Sequence, residues 1–198
     1  MMTRPKHIVV CSDGTGNTAI KGRGTNAFKL FESLDLHSHE ADPRLPQQVA
    51  LYDDGVGTSG LKPVRLLSGA FGWGLGRNVR QLYAGVVRLY EPGDKLFLFG
   101  FSRGAFTVRT LAGLIIGCGI LDKRKFSSDD DLRWHVWLAY REYRRRYRTA
   151  LAKLVRRPYT RERRELFKQR HSVAEDPKAS AIEFIGVWDT VDAVGLPL

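Results

Sequence analysis

Four short apolar runs, each ending at once in a polar or glycine-bearing turn, set the rhythm of this chain. They are His7 to Cys11, Gln48 to Tyr52, Lys95 to Gly100 and Ala181 to Trp188. Runs this short and this apolar read as strands buried in a sheet. Between them the apolar spacing becomes that of a helix. Phe28, Leu30, Phe31 and Leu34 give one apolar face to a helix over Ala27 to Leu34, which Thr25-Asn26 can cap. Val79, Leu82, Val86 and Leu89 do the same for Asn78 to Tyr90, behind a flexible entrance loop carrying Gly69, Gly72, Gly74 and Gly76. A third helix, Arg103 to Ile116, follows the third strand almost directly.

Strands alternating with helices predict an α/β fold, a mostly parallel sheet covered by helices on both faces. In such sheets the loops at the carboxyl ends of the strands form the site. Asp13, Asp53, Ser102 and Asp189 each come directly after a predicted strand. Topology alone would therefore gather them along one edge.

The junction at Ser102 has the most chemical content. Gly100-Phe101-Ser102-Arg103-Gly104 lies between a strand and a helix, the context that a nucleophile elbow requires. The turn is so sharp that side chains two residues before or after the serine would collide, hence Gly100 and Gly104, with the small Ala105 behind them. Ser102 is then the candidate nucleophile, and the backbone N–H of Arg103 the first oxyanion donor. A second donor is expected from the loop after the first strand, at Gly14 or Thr15, beside Asp13 as a further ligand-facing or loop-capping residue. Asp189 suits the acid that orients a histidine, since the order Ser, Asp, His is the one an elbow fold uses.

The histidine is the gap. None follows Asp189, and His7, His37, His39, His135 and His171 all precede it. His7 opens a strand at the wrong end of the sheet, His37 and His39 fall in a polar loop, and His135 and His171 lie in an insert. None is expected to be the catalytic base.

That insert, from about Lys123 to Lys178, breaks the βα rhythm and carries the charge. The net charge of the chain is +11, and residues 133–170 hold 14 of its 32 Lys+Arg but only 3 of its 21 Asp+Glu. The remainder is balanced. Asp129-Asp130-Asp131 can start a helix, with Trp137, Tyr140, Tyr143, Tyr147, Leu151 and Leu154 on its apolar face. Pro158 ends or kinks it, and Tyr159 to Arg170 forms a second helix. The hairpin either packs beside the sheet or acts as a cap whose basic face meets anionic lipid headgroups or another acidic partner. No nucleic-acid recognition motif accompanies the charge, so nucleic acid is not an expected partner.

Other classes are excluded more simply. A length of 198 residues with 43% hydrophobic and 11% aromatic content fits one globular domain with a sizeable core. No apolar run approaches the ~20 residues of a membrane-spanning helix. The chain enters its first strand without a signal-peptide pattern, which predicts a cytoplasmic protein. Cys11 and Cys118 have no metal-ligand spacing and read as reduced core residues, and no metal or cofactor is expected. An aspartyl-phosphatase loop is ruled out because Cys11 occupies the nucleophile position. A P-loop fails because no Gly-Lys-Ser/Thr follows the glycines at 69–76.

Taken in order, Asp13-Gly14-Thr15-Gly16-Asn17, Thr25-Asn26, Tyr52-Asp53-Asp54-Gly55-Val56-Gly57-Thr58, Gly100-Phe101-Ser102-Arg103-Gly104-Ala105 and Gly186-Val187-Trp188-Asp189-Thr190-Val191 carry a resemblance. They resemble the α/β-hydrolase family that includes the catalytic domains of type VI secretion phospholipase effectors. The resemblance covers nearly the whole chain and implies a Ser–Asp–His ester hydrolase, acting on phospholipids in the studied effectors. It matches Ser102 to the nucleophile and Asp189 to the acid. The family's histidine lies beyond the Asp-Thr-Val motif, so these residues look like the N-terminal part of a longer hydrolase. Its effectors need no signal peptide, so export by a type VI system is also compatible. In this fold later strands cover the acid-bearing one; without them Ile182, Phe184, Ile185 and Val187 would lie on an open edge. The isolated 198-residue chain is accordingly expected to be poorly soluble and nearly inactive. The competing expectation is a catalytically inactive hydrolase-fold module that binds an anionic membrane surface or a partner protein through its basic insert.

Overall fold

The computed structural model describes residues 4–14, 24–54, 71–145, 161–173 and 181–191. Four strands form one sheet: β1 (His7–Ser12), β2 (Gln48–Asp53), β3 (Lys95–Phe101) and β4 (Ile182–Trp188). All pairings are parallel, and the spatial order is β2-β1-β3-β4. Among the described residues six α-helices accompany them: α1 (Asn26–Glu32), α2 (Ser38–Ala41), α3 (Phe71–Leu89), α4 (Arg103–Cys118), α5 (Asp129–Arg144) and α6 (Arg161–His171). The α/β expectation holds.

Alternation along the strands decides which helix lies on which face. Ile8 and Val10 of β1 and Leu96 and Leu98 of β3 are fully buried and share a core with Val79, Tyr83 and Val86 of α3 and Val108, Leu111 and Leu114 of α4. Leu51 of β2 points the same way, against Gly85 of α3, where a β-carbon would come within 2.9 Å of it. Its neighbour Tyr52 points to the other face and packs on Phe28 and Phe31 of α1, with ring centroids 5.7 and 5.0 Å away. Helices therefore cover both faces, α1 one and α3 with α4 the other.

Strand order then locates the site. The chain moves from β1 outward to β2, then crosses back over β1 to β3. The direction of winding reverses between β1 and β3, and in open parallel sheets the crevice at such a reversal takes the ligand.

Three expectations need correction. First, α3 begins at Phe71 and not at Asn78, so Gly72, Gly74 and Gly76 are helical and not part of a loop. The reason is close packing: a β-carbon on Gly76 would sit 3.0 Å from the Tyr140 hydroxyl, so glycine lets α5 approach. Second, His39 is not in a loop, because Ser38–Ala41 forms one helical turn that His37 precedes. Third, the buried face of α5 consists of Leu132, Val136, Ala139 and Tyr140, with Tyr143 packed beside them. Trp137 lies to the side, stacked on Trp134 at 4.9 Å. Tyr147, Leu151 and Leu154 fall outside the described residues.

The described part of the insert packs against α3 and α4. Arg88 at the end of α3 pairs with Asp129 at the start of α5, and Tyr140 reaches Gly76 near the start of α3, so the two helices run antiparallel. Ser128 caps α5 by accepting the Asp131 N–H at 3.1 Å, and three aspartates occupy its first turn. Helix α6 returns and is tied at its end, where the Ser172 hydroxyl donates to the Cys118 carbonyl at 2.7 Å. Glu142, buried, pairs with Arg145 at 2.9 Å and with Arg163 of α6 at 3.0 Å, which links the helices of the hairpin.

The sheet is open along β4. Phe184 is 52% exposed, and Ile185 and Val187 are exposed as well, as expected for an unpaired apolar edge. Ile182, the fourth residue expected there, is partly buried against the core. No described helix is long and apolar enough to cross a membrane.

Candidate active site

Ser102 stands at the top of β3 with φ 55° and ψ −118°, a conformation that an L-residue adopts only when its surroundings enforce it. The surroundings here are explicit. A β-carbon on Gly100 would lie 2.5 Å from the Gly104 carbonyl oxygen and 2.7 Å from the Ala105 α-carbon. One on Gly104 would lie 2.7 Å from the Asp13 carbonyl oxygen and closer still to that of Ser12. Both glycines are thus required by contact. The first packs the turn on itself, and the second packs helix α4 against the end of β1.

The elbow is also pinned from β4, where the Ser102 N–H donates to the Trp188 carbonyl at 2.9 Å. The next residue, Asp189, has φ 48°. Ser102 and Asp189 are the two non-glycine residues with positive φ among the described residues, and they sit at adjacent strand ends. Backbone strain in this fold is therefore concentrated at the candidate nucleophile and the candidate acid.

The Ser102 hydroxyl does not cap its own helix. Helix α4 starts at Arg103, so its first backbone N–H donors lie at the end next to Ser102. These donors and the positive end of the helix dipole suit a developing negative charge beside Ser102. Burial lowers the pKa of the Arg103 guanidinium, consistent with a side chain folded against protein.

At the end of β1 the structure shows a second cluster. The Asp13 carboxylate is buried and accepts from three donors: the Gly14 N–H at 2.7 Å, the Thr25 hydroxyl at 2.6 Å and the Tyr52 hydroxyl at 2.9 Å. Gly14, one of the two expected oxyanion donors, has its N–H turned back onto Asp13. Thr15, the other, lies outside the described residues. Asp53 accepts from the Ser12 hydroxyl at 2.9 Å and from the Asn78 amide at 3.0 and 3.1 Å, so α3 is tied to the same edge. The parts played by Tyr52 and Asn78 were not visible in the sequence.

Neighbouring groups make the rest of the edge chemically quiet. The Cys11 thiol is pushed up to about 12 by burial and by the nearby Asp13, which keeps it protonated and unreactive. The Tyr52 hydroxyl is raised too, first by burial and then by its bond to Asp13, and stays a donor. Among the described residues no cluster of His, Cys, Asp and Glu could hold a metal ion.

All five histidines are described, and the structure brings none of them to Ser102. His7 opens β1 at the amino edge, its ring 5.0 Å from that of Phe97. His37 precedes the short α2 and His39 lies within it, between the end of α1 and the start of β2. His135 and His171 face each other at 5.4 Å near the base of the insert, where His135 pairs with Asp131 at 3.0 Å. Burial, with His135 next, lowers the His171 pKa.

An elbow with this geometry, followed by a second strained strand end bearing an aspartate, narrows the family. The model of the type VI secretion (T6SS) phospholipase effector Tle1-like catalytic domain matches residues 6–198. The chain belongs to this family. It is also similar to an uncharacterized protein of Saccharomyces cerevisiae, at 29% identity over 204 residues covering 96% of this chain. The chain spans 27% of that relative's length. No solved structure matches it. Within the family's catalytic domain, β1 to β4 supply the sheet edge that carries Asp13, Ser102 and Asp189.

Proposed function

We propose that this Tle1-like domain is the nucleophile-bearing part of a serine hydrolase that cleaves ester bonds of phospholipids. The Ser102 elbow carries the reading, because its strained backbone and two sterically required glycines serve no purpose in an inert turn. In the reaction, the Ser102 oxygen attacks the ester carbonyl while its proton passes to a base. The oxyanion that forms faces the Arg103 N–H and a second donor from the loop after β1, where Thr15 is the remaining candidate. Collapse expels the alcohol, which takes the proton from the base, and water then releases the acid from Ser102 by the same steps. Asp189 orients the base, and that base is a histidine other than the five in these 198 residues. No cofactor is needed for this chemistry.

The test uses the full polypeptide that contains these residues, with phosphatidylglycerol vesicles as substrate. Free fatty acid released in step with lysophospholipid is the expected result. Hydrolysis of soluble esters alone, with intact vesicle lipid, would contradict the choice of phospholipid.

A specific surface feature supports a bilayer as the place of work. Trp134 is 55% exposed on the outer side of α5 and stacks on Trp137, over which the Arg141 guanidinium lies 4.7 Å from the ring centre. Exposed indole beside guanidinium suits the headgroup layer of an anionic membrane. Replacing Trp134 and Arg141 together by alanine should weaken binding to anionic vesicles by about tenfold, since each surface cation contributes about 1 kcal/mol and the indole adds to it. Flotation with vesicles at low salt measures this, and unchanged binding would place the membrane contact elsewhere. Vesicle binding by a polypeptide that hydrolyses no ester would instead favour the inactive binding module.

A further inference from the structure

We propose that Asp13 is a positioning residue, whose buried carboxylate fixes the backbone against which the Ser102 elbow is built. The inference rests on Ser102 being the nucleophile. Asp13 is 2% exposed, and its carboxylate is filled by donors from three directions: its own loop through Gly14, helix α1 through Thr25, and β2 through Tyr52. These bonds and its burial turn the carboxylate away from solvent. It serves instead as a clamp that joins three elements at the carboxyl end of β1.

What the clamp holds is the surface on which Gly104 rests. The Ser12 and Asp13 carbonyls are the atoms that a β-carbon on Gly104 would strike, so the elbow touches the clamped backbone directly. The clamp is braced in turn. Thr25 caps α1 by accepting the Phe28 N–H at 3.1 Å while it donates to Asp13, and the Tyr52 ring is gripped by Phe28 and Phe31. The Asp13 N–H donates to the Asp53 carbonyl at 2.8 Å, which fixes the residue at both ends. Moving the end of β1 would move the floor under Ser102, and a misplacement of about 1 Å in a reacting group can cost about 10²-fold in rate.

The experiment compares Asp13→Ala, Asp13→Asn, Tyr52→Phe and Ser102→Ala in the full polypeptide, with a soluble p-nitrophenyl ester as substrate. Asp13→Ala is expected to lower kcat by about 10²-fold with KM changed by less than about twofold. Asp13→Asn is expected to recover most of that loss. The amide oxygen can accept the Gly14 N–H, and the amide nitrogen can donate to the two hydroxyl oxygens. Tyr52→Phe keeps the ring and removes one donor, so a loss of about tenfold in kcat is expected even if Asp13→Ala fails to fold. Added to Asp13→Ala, it should cost nothing more, because the bond is already gone.

Full kcat in Asp13→Ala or in Tyr52→Phe would overturn the proposal. So would a raised KM at constant kcat, which would put the carboxylate on the substrate. An Asn variant as slow as the Ala variant would also overturn it. Turnover that survives Ser102→Ala is a different failure, since it would remove the nucleophile on which the inference rests.

Discussion

Replacing Ser102 by alanine is expected to abolish ester hydrolysis, with kcat/KM falling by about 10⁴- to 10⁶-fold, while the domain stays folded. Removing a serine nucleophile commonly costs this much, because the remaining groups stabilise an attack that no longer has an attacking atom. The fold should not respond. The Ser102 hydroxyl does not cap α4, and the bond that pins the elbow to Trp188 comes from the backbone N–H, which alanine keeps. Alanine meets the same positive-φ strain as serine, so stability should change by less than about 1 kcal/mol. Thermal unfolding beside a soluble-ester assay measures both quantities. Residual turnover above about 1% of wild type would place the nucleophile elsewhere.

The second large effect should come from a single methyl group. Gly104→Ala puts a β-carbon 2.7 Å from the Asp13 carbonyl oxygen and nearer still to that of Ser12, the last residue in the β1 pairings with β2 and β3. A flexible side chain could move aside, but a strand carbonyl in mid-sheet cannot do so without breaking its ladder. The cost should reach about 3 kcal/mol, the upper part of the overpacking range. For a domain of this size that lowers Tm by roughly 6–12 °C. Activity should fall with it, because relief can come only by shifting α4, and Ser102 with it, away from β1. The contrast with Ser102→Ala is the informative part, since one variant loses chemistry at constant stability and the other loses both. A Gly104→Ala protein with the Tm and activity of wild type would mean that helix and strand are not in this close contact.

Much of this architecture could be read from the chain because the signals were local. An apolar run that ends in a polar turn specifies a strand end whatever surrounds it, and all four strands lay within a residue or two of where the pattern put them. The elbow was legible for the same reason, since strand, small residues and helix are contiguous from Lys95 to Cys118. Errors arose where a distant partner decides. Gly72, Gly74 and Gly76 look like a loop until Tyr140, 64 residues beyond Gly76 in the sequence, shows why a helix there needs glycine at Gly76. The aromatic residues of α5 suggested a stripe through Trp137. Packing on α3 and α4 instead selected the smaller Leu132, Val136 and Ala139.

The Asp13 cluster shows the same limit at the site itself. Thr25 was recognisable as the cap of α1, but its second bond, to Asp13, depends on how α1 folds back over β1. Tyr52 and Asp13 are 39 residues apart and meet only because β1 and β2 pair in a register that sets Cys11 opposite Tyr52. Gly14 was a sound candidate for an oxyanion donor by position. The carboxylate preceding it captured its N–H, a local choice that spacing alone cannot distinguish.

The central claim is that Ser102 is an activated nucleophile, and one measurement addresses it most directly. The full polypeptide would be treated with a fluorophosphonate until ester hydrolysis stops, then digested and mapped by mass spectrometry. The structure predicts one equivalent of label, on the peptide that contains Gly100-Phe101-Ser102-Arg103. An enzyme that is silenced with the label on any other residue, or that keeps hydrolysing with Ser102 fully labelled, would contradict it.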